Sequence, residues 1–198
     1  MVTDMASYDD STALIVVDLQ NDFADPKGSL YVREGEKVVD VANREAERAR
    51  AAGALVVYTR DWHPEVTPHF KSYGGIWPVH CVRETWGVEP PPGLKVDGEI
   101  LRKGTGGEDG YSGFTVQDPA DGEKKATHLE ALLRERGIER VVILGLATDY
   151  CVRETALDAL RRGFATTVLR EGVRAVNLHP GDGERALEEI RAAGGQIE

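Results

Sequence analysis

Five consecutive apolar residues, Ala13-Leu14-Ile15-Val16-Val17, run straight into the polar Asp18, Gln20 and Asn21. A β-branched run this short lacks both the alternation of a half-exposed strand and the length of a helix, so it reads as a strand buried on both faces. Such a strand needs helices packed above and below its sheet, and its carboxyl end delivers Asp18. Residues 141–147 form a second run of this kind, with a strong strand over 141–144 followed by Gly145. Residues 54–58 and 165–169 read as further strands, and residues 99–102 as a weaker one.

Helical patterns fill the spaces between these strands. From about Glu36 the chain places Val38, Ala42, Ala46 and Ala49 on one face, and Gly53 supplies a stop. Residues 124–136 read as an amphipathic helix ending at Gly137, and residues 150–162 as another, with Val152, Thr155, Ala156, Ala159 and Leu160 at core spacing. Residues 183–193 close the chain as a helix. Short connections and right-handed crossovers then predict an α/β fold: a mostly parallel central sheet with helices on both faces, a Rossmann-type three-layer sandwich. Residues 1–198 are expected to form a single domain. The 60–99 segment, rich in aromatics and prolines and carrying three histidines, is long for a connector and reads as a functional loop.

Charge narrows the partners. With 34 acidic residues against 24 basic ones the formal charge is −10, which repels nucleic-acid phosphates and anionic membranes. The apolar runs are too short to span a bilayer, and residues 1–10 are polar and acidic, so the chain is expected to be cytoplasmic. A neutral or cationic small molecule is the easier partner. The two cysteines, Cys81 and Cys151, cannot build a multi-bridge scaffold.

Ligands of parallel α/β sheets sit beyond the carboxyl ends of the strands. The reactive side chains at those positions are Asp18, then Asp61 and His63, then Lys103, then Cys151. Cys151 falls at the start of a helix that follows a strand and a glycine turn. There, unpaired N–H groups and the helix dipole are expected to lower a thiol pKa, with help from Lys103. Asp18 is placed to accept the thiol proton and return it to a leaving amine.

A second group gathers in the long loop. Asp61 and His63, two apart in an extended segment, project to one face and can converge on one ion, with His69 and His80 completing the set. Three imidazoles and a carboxylate suit zinc, iron or manganese. His128, His179 and Cys81 read as ordinary structural residues, although Cys81, beside His80, is the one competitor for the nucleophile. The Lys103-Gly104-Thr105-Gly106-Gly107 run matches neither nucleotide-binding glycine fingerprint.

Together these segments resemble the nicotinamidase/pyrazinamidase family of the isochorismatase-like cysteine hydrolases. The pieces that carry the resemblance are Val17-Asp18-Leu19-Gln20-Asn21-Asp22-Phe23, Arg60-Asp61-Trp62-His63-Pro64, Trp77-Pro78-Val79-His80-Cys81-Val82, Arg102-Lys103-Gly104-Thr105, Tyr111-Ser112-Gly113-Phe114 and Gly145-Leu146-Ala147-Thr148-Asp149-Tyr150-Cys151-Val152. The resemblance implies a catalytic triad of Asp18, Lys103 and Cys151, and a divalent metal, zinc first and iron or manganese as alternatives, on Asp61, His63, His69 and His80. It also implies a cis peptide between Leu146 and Ala147, an oxyanion hole from the N–H groups of Ala147 and Cys151, and a ring pocket lined by Phe23, Trp77 and Tyr111.

The implied reaction is deamidation of nicotinamide to nicotinate and ammonia through a thioester, in NAD salvage, with the metal on the pyridine nitrogen and pyrazinamide as a second substrate. A homo-oligomer is compatible with the family. Tyr150 departs from relatives that carry His before the nucleophile. The nearest alternative is another isochorismatase-like amidohydrolase acting without metal on a different small amide, against which the Asp61, His63, His69 and His80 set speaks. A catalytically silent metal-binding scaffold is the alternative from another class.

Overall fold

The computed structural model describes residues 7–198; the first six residues of the acidic 1–10 stretch lie outside them. Six strands make one parallel sheet: β1 (Thr12–Val17), β2 (Leu55–Asp61), β3 (Glu99–Lys103), β6 (Arg140–Leu146), β7 (Ala165–Arg174) and the short β8 (Gln196–Ile197). Their order across the sheet is β3-β2-β1-β6-β7-β8. All six residues of β1 are buried, as its unbroken apolar run requires.

Alternation along β1 divides the core in two. After the one-turn helix α1 (Asn21–Ala24), the chain forms α2 (Val38–Ala51), against which Leu14 and Val16 pack and whose Val38, Ala42, Ala46 and Ala49 are fully buried. Ala13, Ile15 and Val17 face the other layer, built from α3 (Leu129–Glu135), α4 (Arg153–Arg161) and α5 (Asp182–Ala192). Each fully buried Leu or Ile side chain in these layers contributes about 1.5–3 kcal/mol of transfer free energy. Among the described residues no helix is long and apolar enough to cross a membrane.

The structure differs from the sequence reading in three places. Residues 124–136 are not one helix: Lys124–Ala126 is a strand, β5, paired antiparallel with β4 (Thr115–Gln117), and α3 begins only at Leu129. Lys124, Lys125 and Ala126 are all exposed and offer a helix no face to bury. Thr127 marks the break, its Oγ1 accepting the Leu129 N–H at 3.2 Å and donating to the Gly113 carbonyl at 2.7 Å. The helix read over 150–162 is preceded by a wider π turn over Thr148–Val152, with α4 regular only from Arg153. The strand read over 165–169 continues to Arg174 past a register shift between Ile143 and Gly145 of its neighbour.

Strand order reverses between β1 and β6, since β2 and β3 extend to one side of that pair and β7 and β8 to the other. At such a switch point the connections leave in opposite directions and open a crevice beyond the strand ends. Asp18 leaves β1 and the π turn leaves β6 on the two sides of this crevice. The 62–98 segment, with only two short 3₁₀ turns and a few isolated bridges, lies between β2 and β3 in the chain.

Candidate active site and metal centre

Register brings the first charged groups together. Val17 lies opposite Thr59, so Asp18, one residue on, donates its N–H to the Thr59 carbonyl at 3.1 Å while Thr59 Oγ1 donates to Asp18 Oδ1 at 2.7 Å. Asp61 lies opposite Lys103 at the ends of β2 and β3. The Lys103 ammonium, fully buried, reaches Asp18 Oδ2 and Asp61 Oδ1 at 2.6 Å each, and also donates to the Gly110 carbonyl. Cys151 Sγ, delivered by the π turn, stands 3.8 Å from the same nitrogen. Short π segments inside helices recur at functional sites because they displace a side chain from the helical spacing.

Burial and pairing set the charge states. Burial pushes the Asp18 carboxyl up to about 6, with the nearby Asp61 adding to it and Lys103 opposing. Burial disfavours charge on Asp61 too, but Lys103 and the neighbouring imidazoles hold it well below the usual carboxylate range. Lys103 stays firmly protonated between the two carboxylates despite its burial. The Cys151 thiol goes the other way from the sequence expectation. Burial raises it well above an ordinary thiol, Asp18 and Asp61 add to the rise, and Lys103 alone opposes it. The helix start does not overcome desolvation, so the resting group is a thiol, with the Asp18 carboxylate within 4.8 Å of it.

The imidazoles form a cage beside this cluster. His63, His69 and His80 place ligand atoms within 4.8 Å of one another, all three buried, with ring centroids 4.7–5.2 Å apart. Asp61 Oδ2 lies 3.7 Å from His63 Nε2 and 4.0 Å from His80 Nε2, so one carboxylate serves Lys103 with one oxygen and the cage with the other. His80 Nδ1 donates to the Pro78 carbonyl at 2.7 Å, and His69 Nδ1 lies 2.5 Å from Asp109 Oδ1. Burial, with the like-charged His63 and His69, pushes His80 down to about 4, which keeps it a neutral ligand.

The donor set fits a divalent ion. Both ring nitrogens of His63 are buried without a hydrogen-bond partner, a state that native interiors rarely tolerate and that a metal bond would relieve at one of the two. Gly104 is shaped to this cage: at φ +72°, a Cβ there would stand 2.7 Å from His63 Cε1.

A cavity joins the two groups. Cys151, Ala147, Asp61, His69 and His80 all line it, with Phe23, Trp77 and Tyr111 among the other lining side chains, and Asp61 bridges the two groups, its carboxylate within 4.8 Å of Cys151 Sγ. Trp77 Nε1 donates to the Tyr111 hydroxyl at 2.8 Å and its ring meets Tyr150 edge-on at 4.8 Å. The peptide between Leu146 and Ala147 is cis, as expected. Cys81 is packed in the core on the α2 side, its thiol raised by burial. His179 is exposed, and His128 sits at the start of α3.

Several residues support the site in roles that the sequence reading did not give them. Gln20 clamps Asp61 through both backbone groups, donating to its carbonyl and accepting its N–H, each at 2.8 Å. Asp22 accepts the Cys81 N–H at 2.7 Å and so fixes the backbone next to His80. Asp109 reaches His69 across 40 positions. Thr59 was the one to find, because the pairing of adjacent parallel strands puts it opposite the end of β1.

A cysteine paired with an acid and a lysine at the switch point of a parallel sheet defines the class of α/β cysteine hydrolases, here with a metal cage added. Residues 12–198 match the model of the Isochorismatase domain. The chain belongs to the isochorismatase family, and within it to the nicotinamidase/pyrazinamidase group. It is 37% identical to the nicotinamidase of Escherichia coli (strain K12), with 93% of each chain covered. Among solved structures it is similar to the pyrazinamidase of Pyrococcus horikoshii in complex with zinc, at 44% identity and TM-score 0.85, covering 95% of this chain and 98% of that one. It is also similar to PnC1 from L. infantum in complex with nicotinate, at 33% identity and TM-score 0.87, covering 98% and 95%.

Proposed function

We propose that this chain is a metal-containing nicotinamidase, with the whole of residues 1–198 acting as one domain and the 60–99 segment supplying its metal and substrate loop. The observation that carries the reading is the shared cavity, lined at once by Cys151, by Asp61, His69 and His80 of the cage, and by the aromatic rings of Phe23, Trp77 and Tyr111. Among the described residues, none of those lining it is Lys or Arg, which suits a neutral ring amide.

Asp61, His63, His69 and His80 would hold the metal. Zinc is the ion of choice for three nitrogens and one oxygen, and the Pyrococcus horikoshii relative holds zinc. When bound, the ion supplies a Lewis-acid anchor for a ring nitrogen and so fixes the carboxamide's orientation. Phe23, Trp77 and Tyr111 sandwich the ring.

The chain's own groups then carry the bond changes. Cys151 Sγ attacks the carboxamide carbon as its proton passes to Asp18, whose carboxyl near 6 is matched to that exchange at neutral pH. The oxyanion is received by the N–H groups of Ala147 and Cys151; losing one such donor typically costs on the order of a hundredfold in rate. Asp18 returns the proton to the amine, the C–N bond breaks, and ammonia leaves a thioester. Water attacks that thioester with Asp18 again taking a proton, the C–S bond breaks, and nicotinate and the Cys151 thiol are released. Lys103 holds Asp18 in place throughout and stabilises the negative charge that develops on Cys151 Sγ as its proton leaves.

Ammonia release from nicotinamide tests the reading. Turnover is expected to vanish on chelation and return with a divalent ion. Chelator-resistant hydrolysis of a different small amide, with nicotinamide untouched, would overturn it.

A further inference from the structure

Asp109 lies outside the cavity walls and touches no group placed in the bond-breaking steps. Its backbone forms a doubly bonded antiparallel pair with Gln117, the Asp109 N–H donating at 2.8 Å and the Gln117 N–H donating back at 2.9 Å. This bridge ties it to the β4–β5 hairpin, a two-stranded unit separate from the main sheet. From there its carboxylate meets His69 Nδ1 at 2.5 Å. A second tie joins the same two segments, since Thr67 Oγ1 donates to the Gly107 carbonyl at 2.6 Å and accepts the His69 N–H at 3.2 Å.

A carboxylate oxygen only accepts, so the hydrogen in this contact sits on Nδ1 and the lone pair on Nε2. The ring is then held with its one free donor atom for a cation. His80 obtains the same tautomer from the Pro78 carbonyl, while His63 has no outer partner at all. Of the three imidazoles, His69 alone meets a carboxylate from outside the ligand set, and that carboxylate sits in a loop bridged to the hairpin.

We propose that Asp109 is a positioning residue for the metal centre: by fixing the tautomer and orientation of His69 it sets how tightly a divalent ion is held. The inference rests on the reading of Asp61, His63, His69 and His80 as a metal site. Removing an outer-shell partner of this kind costs roughly 10–100-fold in metal affinity.

The test is zinc affinity of the full chain, measured by competition with a chromophoric chelator for the parent, Asp109→Ala and Asp109→Asn, together with the visible absorption of the cobalt-loaded proteins. Asp109→Ala is expected to bind zinc about 10–100-fold more weakly and to shift the cobalt bands. Asp109→Asn, whose amide oxygen still accepts from Nδ1, should recover most of both. A backbone role in the hairpin would leave the cobalt spectrum alone, because the Gln117 pairing uses no side-chain atom of Asp109. Parent-like affinity and spectrum in Asp109→Ala, or an Asn variant as weak as the Ala variant, would overturn the proposal. If the parent itself binds zinc no better than a His63→Ala/His80→Ala double variant, the metal-site reading fails and takes this one with it.

Discussion

Lys103 makes more polar contacts than any other side chain in the site, and its effect on Asp18 and Cys151 decides how pH acts. Asp18, carried up to about 6, changes its charge close to neutrality. A protonated Asp18 cannot take the thiol proton, so kcat/KM should fall as pH drops through about 6, by up to tenfold per unit, and stay flat through neutral pH. His80, pushed down to about 4, remains a neutral ligand over that range, and saturating metal keeps the cage filled so that the limb reports Asp18. A metal-saturated profile that is flat down to pH 5 would refute the assignment. The raised thiol has its own consequence. Substrate-free Cys151 should alkylate slowly at neutral pH and faster as pH climbs, yet ahead of Cys81, which has no exposed surface and does not line the cavity. Mass spectrometry of the labelled chain checks the order. Cys151→Ala should lower turnover by about 10⁴-fold or more, since a nucleophile's contribution is not replaced by the groups around it. An unlabelled Cys151 beside a labelled Cys81, or substantial activity in the alanine variant, would place the nucleophile elsewhere.

The elements that carry these residues differ in how much of them the sequence discloses. β1, β2 and β6 are legible because strands buried on both faces must be apolar throughout, and Asp18, Asp61 and the π turn inherit their positions from those strand ends. The β4–β5 hairpin is illegible, since Lys124, Lys125 and Ala126 are exposed and pair through their backbones alone, leaving no apolar period to read. The widened turn over Thr148–Val152 is hidden for a related reason: its Cys151 and Val152 satisfy a helical pattern as well as a π one. Contacts such as Asp109 with His69 and Gln20 with Asp61 span about 40 positions and depend on where loops settle, which no local pattern encodes. Gly104 shows how tightly one loop is fitted to its neighbour. Just past β3, at positive φ and with a Cβ site 2.7 Å from His63 Cε1, it admits no side chain without turning the imidazole. Gly104→Ala should cost about 1 kcal/mol or more from the backbone alone and should reduce metal bound per chain at limiting zinc. Elemental analysis alongside thermal unfolding separates the two effects, and full metal content in that variant would show that the ring has room to yield.

At the scale of the whole molecule the sheet and its two helical layers are conventional, while the 62–98 segment is not. It carries three of the four candidate ligands, has no strand or α-helix of its own, and meets β2 and β3 at their carboxyl ends, where Asp61 and Lys103 sit. Chain entropy works against ordering so long a segment, at about 1–2 kcal/mol for each residue fixed. The burial of Phe70, His63 and Trp77 offsets part of that cost, and the unpartnered nitrogens of His63 add to it. An ion bound by the native cage and not by the unfolded chain would stabilise the fold by mass action, by about 4 kcal/mol at a thousandfold excess over its dissociation constant. In a domain of this size each kcal/mol moves the melting temperature by about 2–4 °C, so chelation should lower Tm by about 10 °C and re-addition of zinc should restore it. Scanning calorimetry with and without chelator measures the shift directly. If the loop were held by packing alone, the two traces would coincide, and the three imidazoles would then be a buried aromatic cluster with no ion to organise them.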